Sequence, residues 1–112
     1  MSNEVRIDDP KVLKVYGGNE KKGKNHVRDV TNAILRVIEK HGSAKLRAIG
    51  ASAVYNASLA FAYASKEAEK TGDSLVSKDT IELVDFGEIK KKAIIKEVFY
   101  EEDVEEEVEL VN

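Results

Sequence analysis

The sequence predicts an α/β fold of the α+β sandwich kind: one domain, element order β-α-β-α-β-β, a four-stranded mixed sheet with two helices on one face. Three observations predict it. A chain of 112 residues fits one domain and not two. Short runs of alternating polarity are separated by two long segments with helical spacing of their apolar residues. The two helical segments each lie between strands, so they read as crossovers. Right-handed crossovers place both helices on the same side of a sheet that grows in one direction.

Residues 1–10, closed by Pro10, read as a flexible N-terminus, 11–100 as the folded domain and 101–112 as an acidic tail. The first strand is Val12-Leu13-Lys14-Val15-Tyr16. Its Leu13 and Val15 face one way and Lys14 and Tyr16 the other, and Gly17-Gly18 ends it. A basic loop, residues 20–25, then leads into a helix over 26–41, with Asn25 as N-cap. Val27, Val30, Ile34, Val37 and Ile38 form its apolar stripe, and Gly42 caps its end. Ala44–Ile49 is a second strand, with Leu46 and Ala48 inward and Lys45 and Arg47 on the opposite face. Gly50 turns the chain into an Ala-rich helix over 51–70. Its apolar residues go nearly all round, which predicts burial on more than one side, part of it against a second copy of the chain. Strands over 80–86 and 93–100 follow, with Ile81, Leu83, Ile95 and Phe99 expected to point inward. Between them Gly87 and Lys90-Lys91-Lys92 form a basic hairpin arm.

Composition excludes several classes of function. Cysteine is absent, so disulfides, thiolate metal sites and cysteine nucleophiles are out. Residues 1–11 are polar and acidic, unlike a secretory signal, and no window is apolar enough for a membrane span. A cytoplasmic protein is expected. His26 and His41 stand about four helical turns apart and cannot share a metal. No serine has a histidine in a plausible triad order, and Asp29 and Glu39 are surface acids rather than a paired set. No enzyme, cofactor, metal or small-molecule substrate is expected.

The net charge of −3 hides a segregation. The tail from Glu101 onward holds seven acids and no base, which leaves residues 1–100 with 14 acidic against 18 basic side chains. A basic body with an acidic tail favours contact with nucleic acid. The candidate contacts are Lys21, Lys22, Lys24, Asn25 and Arg28, gathered at a helix start where free N–H groups and the helix dipole favour phosphate. The glycines of this region do not make a P-loop, which needs a Lys-Ser/Thr pair. Lys90, Lys91 and Lys92 are the second candidate group, although lysines also keep edge hairpins from pairing with other chains. Lys14, Tyr16, Lys45 and Arg47 share the open sheet face, where Tyr16 could stack on a base. Tyr55, Leu59, Phe61 and Tyr63 of the second helix are the candidate dimer contacts.

The run Ala44-Lys45-Leu46-Arg47-Ala48-Ile49-Gly50-Ala51-Ser52-Ala53-Val54-Tyr55-Asn56-Ala57 resembles the signature stretch of the stage V sporulation protein S family. There a strand ending in Ala-Ile-Gly-Ala leads into a helix of small residues. The likeness extends over about residues 11–100, by pattern and order outside residues 48–57. That family is similar in fold to Alba, a chromatin protein. The resemblance implies a dimer that binds DNA or RNA through the loop before the first helix (Lys21, Lys22, Lys24) and through hairpin arms (Lys90, Lys91, Lys92). This chain departs from the pattern in a longer loop containing Glu20, in Tyr55, Ser58, Phe61 and Tyr63 on the second helix, and in the tail.

The expected function is therefore binding of the DNA or RNA phosphate backbone by a homodimer or higher homo-oligomer, with little sequence preference. An array of Arg, Asn or Gln for base readout is absent. A second reading, from another class, is a self-assembling or protein-interaction regulatory module without nucleic-acid contact. The doubly apolar helix, the acidic tail and the negative total charge support it. The tail also suggests autoinhibition, by folding over the basic loop; unchanged affinity after deletion of 101–112 rules that out.

Overall fold

In the structure, a computed structural model that describes residues 9–18 and 23–101, the element order is as expected: β1 (Val12–Val15), α1 (Gly23–His41), β2 (Ala44–Ile49), α2 (Ala51–Glu69), β3 (Leu75–Phe86) and β4 (Ile89–Tyr100). The four strands form one mixed sheet in the order β1-β2-β4-β3. β1 and β2 are parallel, with Leu13 opposite Leu46 and Val15 opposite Ala48. β4 runs antiparallel to both β2 and β3, with Ala44 opposite Val98 and Ile49 opposite Ala93.

The core lies between one sheet face and the two helices. Ala44, Leu46 and Ala48 are buried on β2, as their alternation requires, with Val15 beside them and Val98 across the β2–β4 pair. α1 contributes Val27, Val30, Ile34 and Ile38, one stripe at spacings of three and four. Its end matches expectation: Gly42, at φ 91°, donates its N–H to the Ile38 carbonyl at 2.7 Å. Its start does not. The backbone is helical from Gly23, so Asn25 lies inside the first turn and is not the cap.

α2 buries Ala53, Ala57, Ala60, Ala64 and Ala68, again at spacings of three and four. A row of single methyl groups lets the helix backbone lie close to the sheet and to α1. Ridges of larger side chains would hold it further off. The remaining apolar side chains of α2 divide between two places. Phe61 is half-buried against the core, while Tyr55 and Tyr63 stay 65% and 52% exposed.

The two longest strands depart most from expectation. Both start earlier than predicted, β3 at Leu75 and β4 at Ile89, so the lysines of the expected hairpin arm lie within β4 itself. β2 covers β4 only as far as Ala93. Beyond that point residues 83–86 and 89–92 pair with each other alone and form a two-stranded arm, closed by Gly87-Glu88. Gly87 takes φ 83° and Glu88 a negative φ, the type II′ pattern whose twist matches a hairpin and which favours glycine at its first position.

The inward candidates of this hairpin need correction. Ile81 and Leu83 do lie on the helix-side face, opposite Ile94 and Lys92, but the helices do not cover them and both are 65% exposed. Ile95 and Phe99 face the other way. The register that puts Ile94, Lys96 and Val98 opposite Ala48, Leu46 and Ala44 puts Ile95 opposite Arg47, on the open face.

Lys96 thus enters the core side of the sheet, at only 8% exposure. Its ammonium is held by Asp79 Oδ2 at 2.9 Å, with Ser77 Oγ at 3.4 Å, and lies 5.3 Å from the centre of the Phe61 ring. Removing one partner of such a pair leaves a desolvated charge, whereas removing both does not. Asp79→Ala is expected to cost about 1–2 kcal/mol, and adding Lys96→Met to recover most of that loss. Thermal unfolding of the single and double variants checks both; a double variant less stable than Asp79→Ala would refute the pairing argument.

Candidate nucleic-acid interface

β1 and β2 are parallel, so the end of β1, the start of α1 and the start of α2 all gather at one end of the sheet. The arm leaves the sheet at that same end, because Ile49, the last residue of β2, pairs with Ala93 where the arm begins. The sequence placed its two basic segments more than 60 positions apart. The topology brings the start of α1, which carries Lys24 and Arg28, and the arm to one end of the sheet.

Strand geometry sorts the arm lysines. Lys90 and Lys92 lie on the helix-side face, opposite Asp85 and Leu83, and Lys91 lies on the open face opposite Val84. All three are exposed, and Lys91 Nζ sits 5.6 Å from the Phe86 ring centre. The arm also carries Asp85 and Glu88. Lys21 and Lys22 lie outside the described residues. Lys24 and Asn25 fall in the first turn of α1, and Arg28 is exposed one turn further on.

The chain after β1 is pinned by a clamp that the sequence did not announce. The Tyr16 N–H donates to His26 Nε2 at 2.9 Å, which requires an unprotonated nitrogen there. The Gly18 N–H donates to Ser52 Oγ at 2.6 Å. Asn56 Nδ2 donates to the Tyr16 carbonyl at 2.8 Å, with the Gly18 carbonyl at 3.4 Å. Between these contacts Gly17 lies so close to α2 that a Cβ would stand 2.9 Å from Ser52 Cβ and 3.0 Å from the Ala53 nitrogen. Only glycine allows the loop to lie this near the helix. The clamp thus ties β1's end to both helices and fixes where the basic loop departs. A buried amide in an otherwise alanine-lined helix face was the one signal for it.

On the open sheet face Lys14 and Arg47 are register partners, and Tyr16 continues from Lys14 past the end of β1. Lys45 lies two residues back along β2, across from Glu97. The dimer candidates do not form one patch. Tyr55, Leu59 and Tyr63 recur every fourth residue and share one stripe of α2, while Phe61 packs beside the core with Lys96. Leu59 and Tyr63 line an outer groove of about 490 Å³ between the helices, with Leu35 and Thr31 of α1 on its other wall.

Among the described residues no group of three or more His, Asp or Glu side chains could hold a metal, and neither described helix is long and apolar enough to cross a membrane. A family model described as Stage V sporulation protein S matches residues 12–101, the span from the first residue of β1 to the residue after β4. No curated protein matches the chain.

Proposed function

This chain belongs to the stage V sporulation protein S family, a family of sporulation regulators, and on that premise we propose that it acts by binding the phosphate backbone of nucleic acid as a homodimer. The observation that carries the proposal is that the start of α1, with Lys24 and Arg28 in its first two turns, lies at the same end of the sheet as the lysine arm. Lys90 and Lys92 moreover lie on the side of the sheet where α1 begins. Two cationic segments joined by a rigid sheet can follow a strand of phosphates, whereas either alone would meet only a few. Counterion release from such a contact makes the affinity fall linearly with salt on logarithmic axes. Nothing in the arrangement favours one base over another, so binding is of low sequence specificity.

Fluorescence anisotropy with labelled duplex DNA and single-stranded RNA, titrated from low to physiological salt, tests the reading. A linear log–log decline supports it; absence of binding to both probes at low salt would end it. The dimer is assigned to the Tyr55, Leu59 and Tyr63 stripe and the groove beside it. Tyr63→Glu, on an exposed position, is expected to give a folded monomer in sedimentation; an unchanged oligomer would move the interface elsewhere.

A further inference from the structure

The open face of the sheet, at the end where β1 and β2 finish and the arm leaves, carries a groove of about 370 Å³. Its walls come from three parts of the chain far apart in sequence: Lys14, Tyr16 and Gly17 at the end of β1, Arg47 and Ile49 on β2, and Phe86 at the tip of β3. Tyr16 is 53% exposed and Phe86 54%, so each offers part of a ring to solvent at the rim. Cations accompany both aromatics. Lys14 and Arg47 are neighbours in register, and Lys91 stands over the Phe86 ring.

Arg47 has a particular feature. Its Nε atom is buried and has no hydrogen-bond partner among the described residues; the nearest acid, Glu82, places Oε1 3.8 Å away, beyond hydrogen-bond length. The Arg47 side chain, 29% exposed, lines the groove with its charge only loosely paired to Glu82. Aromatic faces beside cations are the elements by which proteins hold an unstacked base and its phosphate.

We infer that this groove takes one unstacked nucleobase, stacked on Tyr16 or Phe86 with its phosphate on Lys14 and Arg47, so that the protein engages single-stranded nucleic acid in a way it does not engage a duplex. The inference rests on the reading that the chain binds nucleic acid, and it adds a second mode to it. Within a duplex both faces of each base are already stacked and no base can enter the groove. Duplex binding then depends on the loop and the arm alone. Stacking is indifferent to base identity, so the mode adds preference for strandedness without adding sequence preference.

The experiment compares Phe86→Ala, Tyr16→Leu and the unmodified protein by anisotropy at constant salt, with labelled oligo-U, oligo-dT and a duplex of equal length. Phe86 lies on the arm, clear of the core, so its replacement leaves the fold intact; thermal melting verifies this for both variants. Each substitution is expected to weaken single-strand binding about tenfold and to leave duplex binding within about twofold. Equal weakening on oligo-U and oligo-dT assigns the effect to the base, and a loss confined to oligo-U adds a contact to the ribose hydroxyl. If the unmodified protein binds the duplex and neither variant loses single-strand affinity, the groove assignment is wrong while backbone binding stands. Parallel losses on duplex and single strand also overturn it. Absence of binding to all three probes removes both readings together.

Discussion

Asn56→Leu is expected to lower the stability of the domain by about 2 kcal/mol, equivalent to roughly 8–12 °C in Tm for a domain of this size. Asn56 is buried on α2, and its amide nitrogen holds the Tyr16 carbonyl at 2.8 Å. Leucine has nearly the same shape and opens no cavity. The loss therefore reports the hydrogen bond and the carbonyl left without it rather than poorer packing. Asn56→Asp is expected to be worse still, because a carboxylate cannot donate and would face two carbonyl oxygens. Ser52→Ala removes only the acceptor of the Gly18 N–H and costs about 1 kcal/mol. Thermal unfolding orders the three. A leucine variant that melts with the parent would mean that Gly17's close packing and the bonds to His26 and Ser52 hold the loop without Asn56. The functional consequence follows from position: Tyr16, at the rim of the groove, and the departure of the basic loop both depend on the clamp.

What the sequence made legible follows from which contacts carry a period. The strand Ala44–Ile49 has one face in the core and the other open, so its alternation identified the inward residues correctly. The stripe of α1 and its closure at Gly42 were legible for the same reason. β4 misled because Ile94 and Ile95 are both apolar and the next residue is a lysine, which suggested that the even positions face solvent. Lys96 faces the core nonetheless, since Asp79, Ser77 and Phe61 provide for its charge, and all three are remote in sequence. The early starts of β3 and β4 were hidden by the arm itself. Both of its faces meet water, so no apolar alternation marked Lys90, Lys91 and Lys92, read as an arm between the strands, as part of the ladder. The clamp and the groove were out of reach for a different reason. They join residues 10 to about 70 positions apart, and no local pattern encodes such distances.

Replacing Lys21, Lys22, Lys24, Lys90 and Lys92 together by Ala is expected to remove most duplex binding and to flatten its salt dependence, by about 0.9 in log–log slope for each lysine that meets a phosphate. The contributions should be unequal. The arm sets its lysines beside Asp85 and Glu88, and its alternation lets only Lys90 and Lys92 face the same way. The pair Lys90→Ala/Lys92→Ala is therefore expected to change the duplex slope by no more than about 1.8. It should match the effect of replacing all three arm lysines. Lys91→Ala alone should leave duplex binding unchanged, since Lys91 lies on the opposite face beside Phe86; its effect belongs to single strands. The loop variant Lys21→Ala/Lys22→Ala/Lys24→Ala should reduce the slope further than the arm pair, because fewer acids lie near those lysines in the sequence. Salt titrations of these variants separate the cases. Were Lys91→Ala to act on the duplex as strongly as Lys90→Ala, the strand would have to run along the arm's other face, and the convergence with α1 would not be the basis of binding. A flat response of every variant, with affinity retained, would place the binding surface away from this end of the sheet altogether.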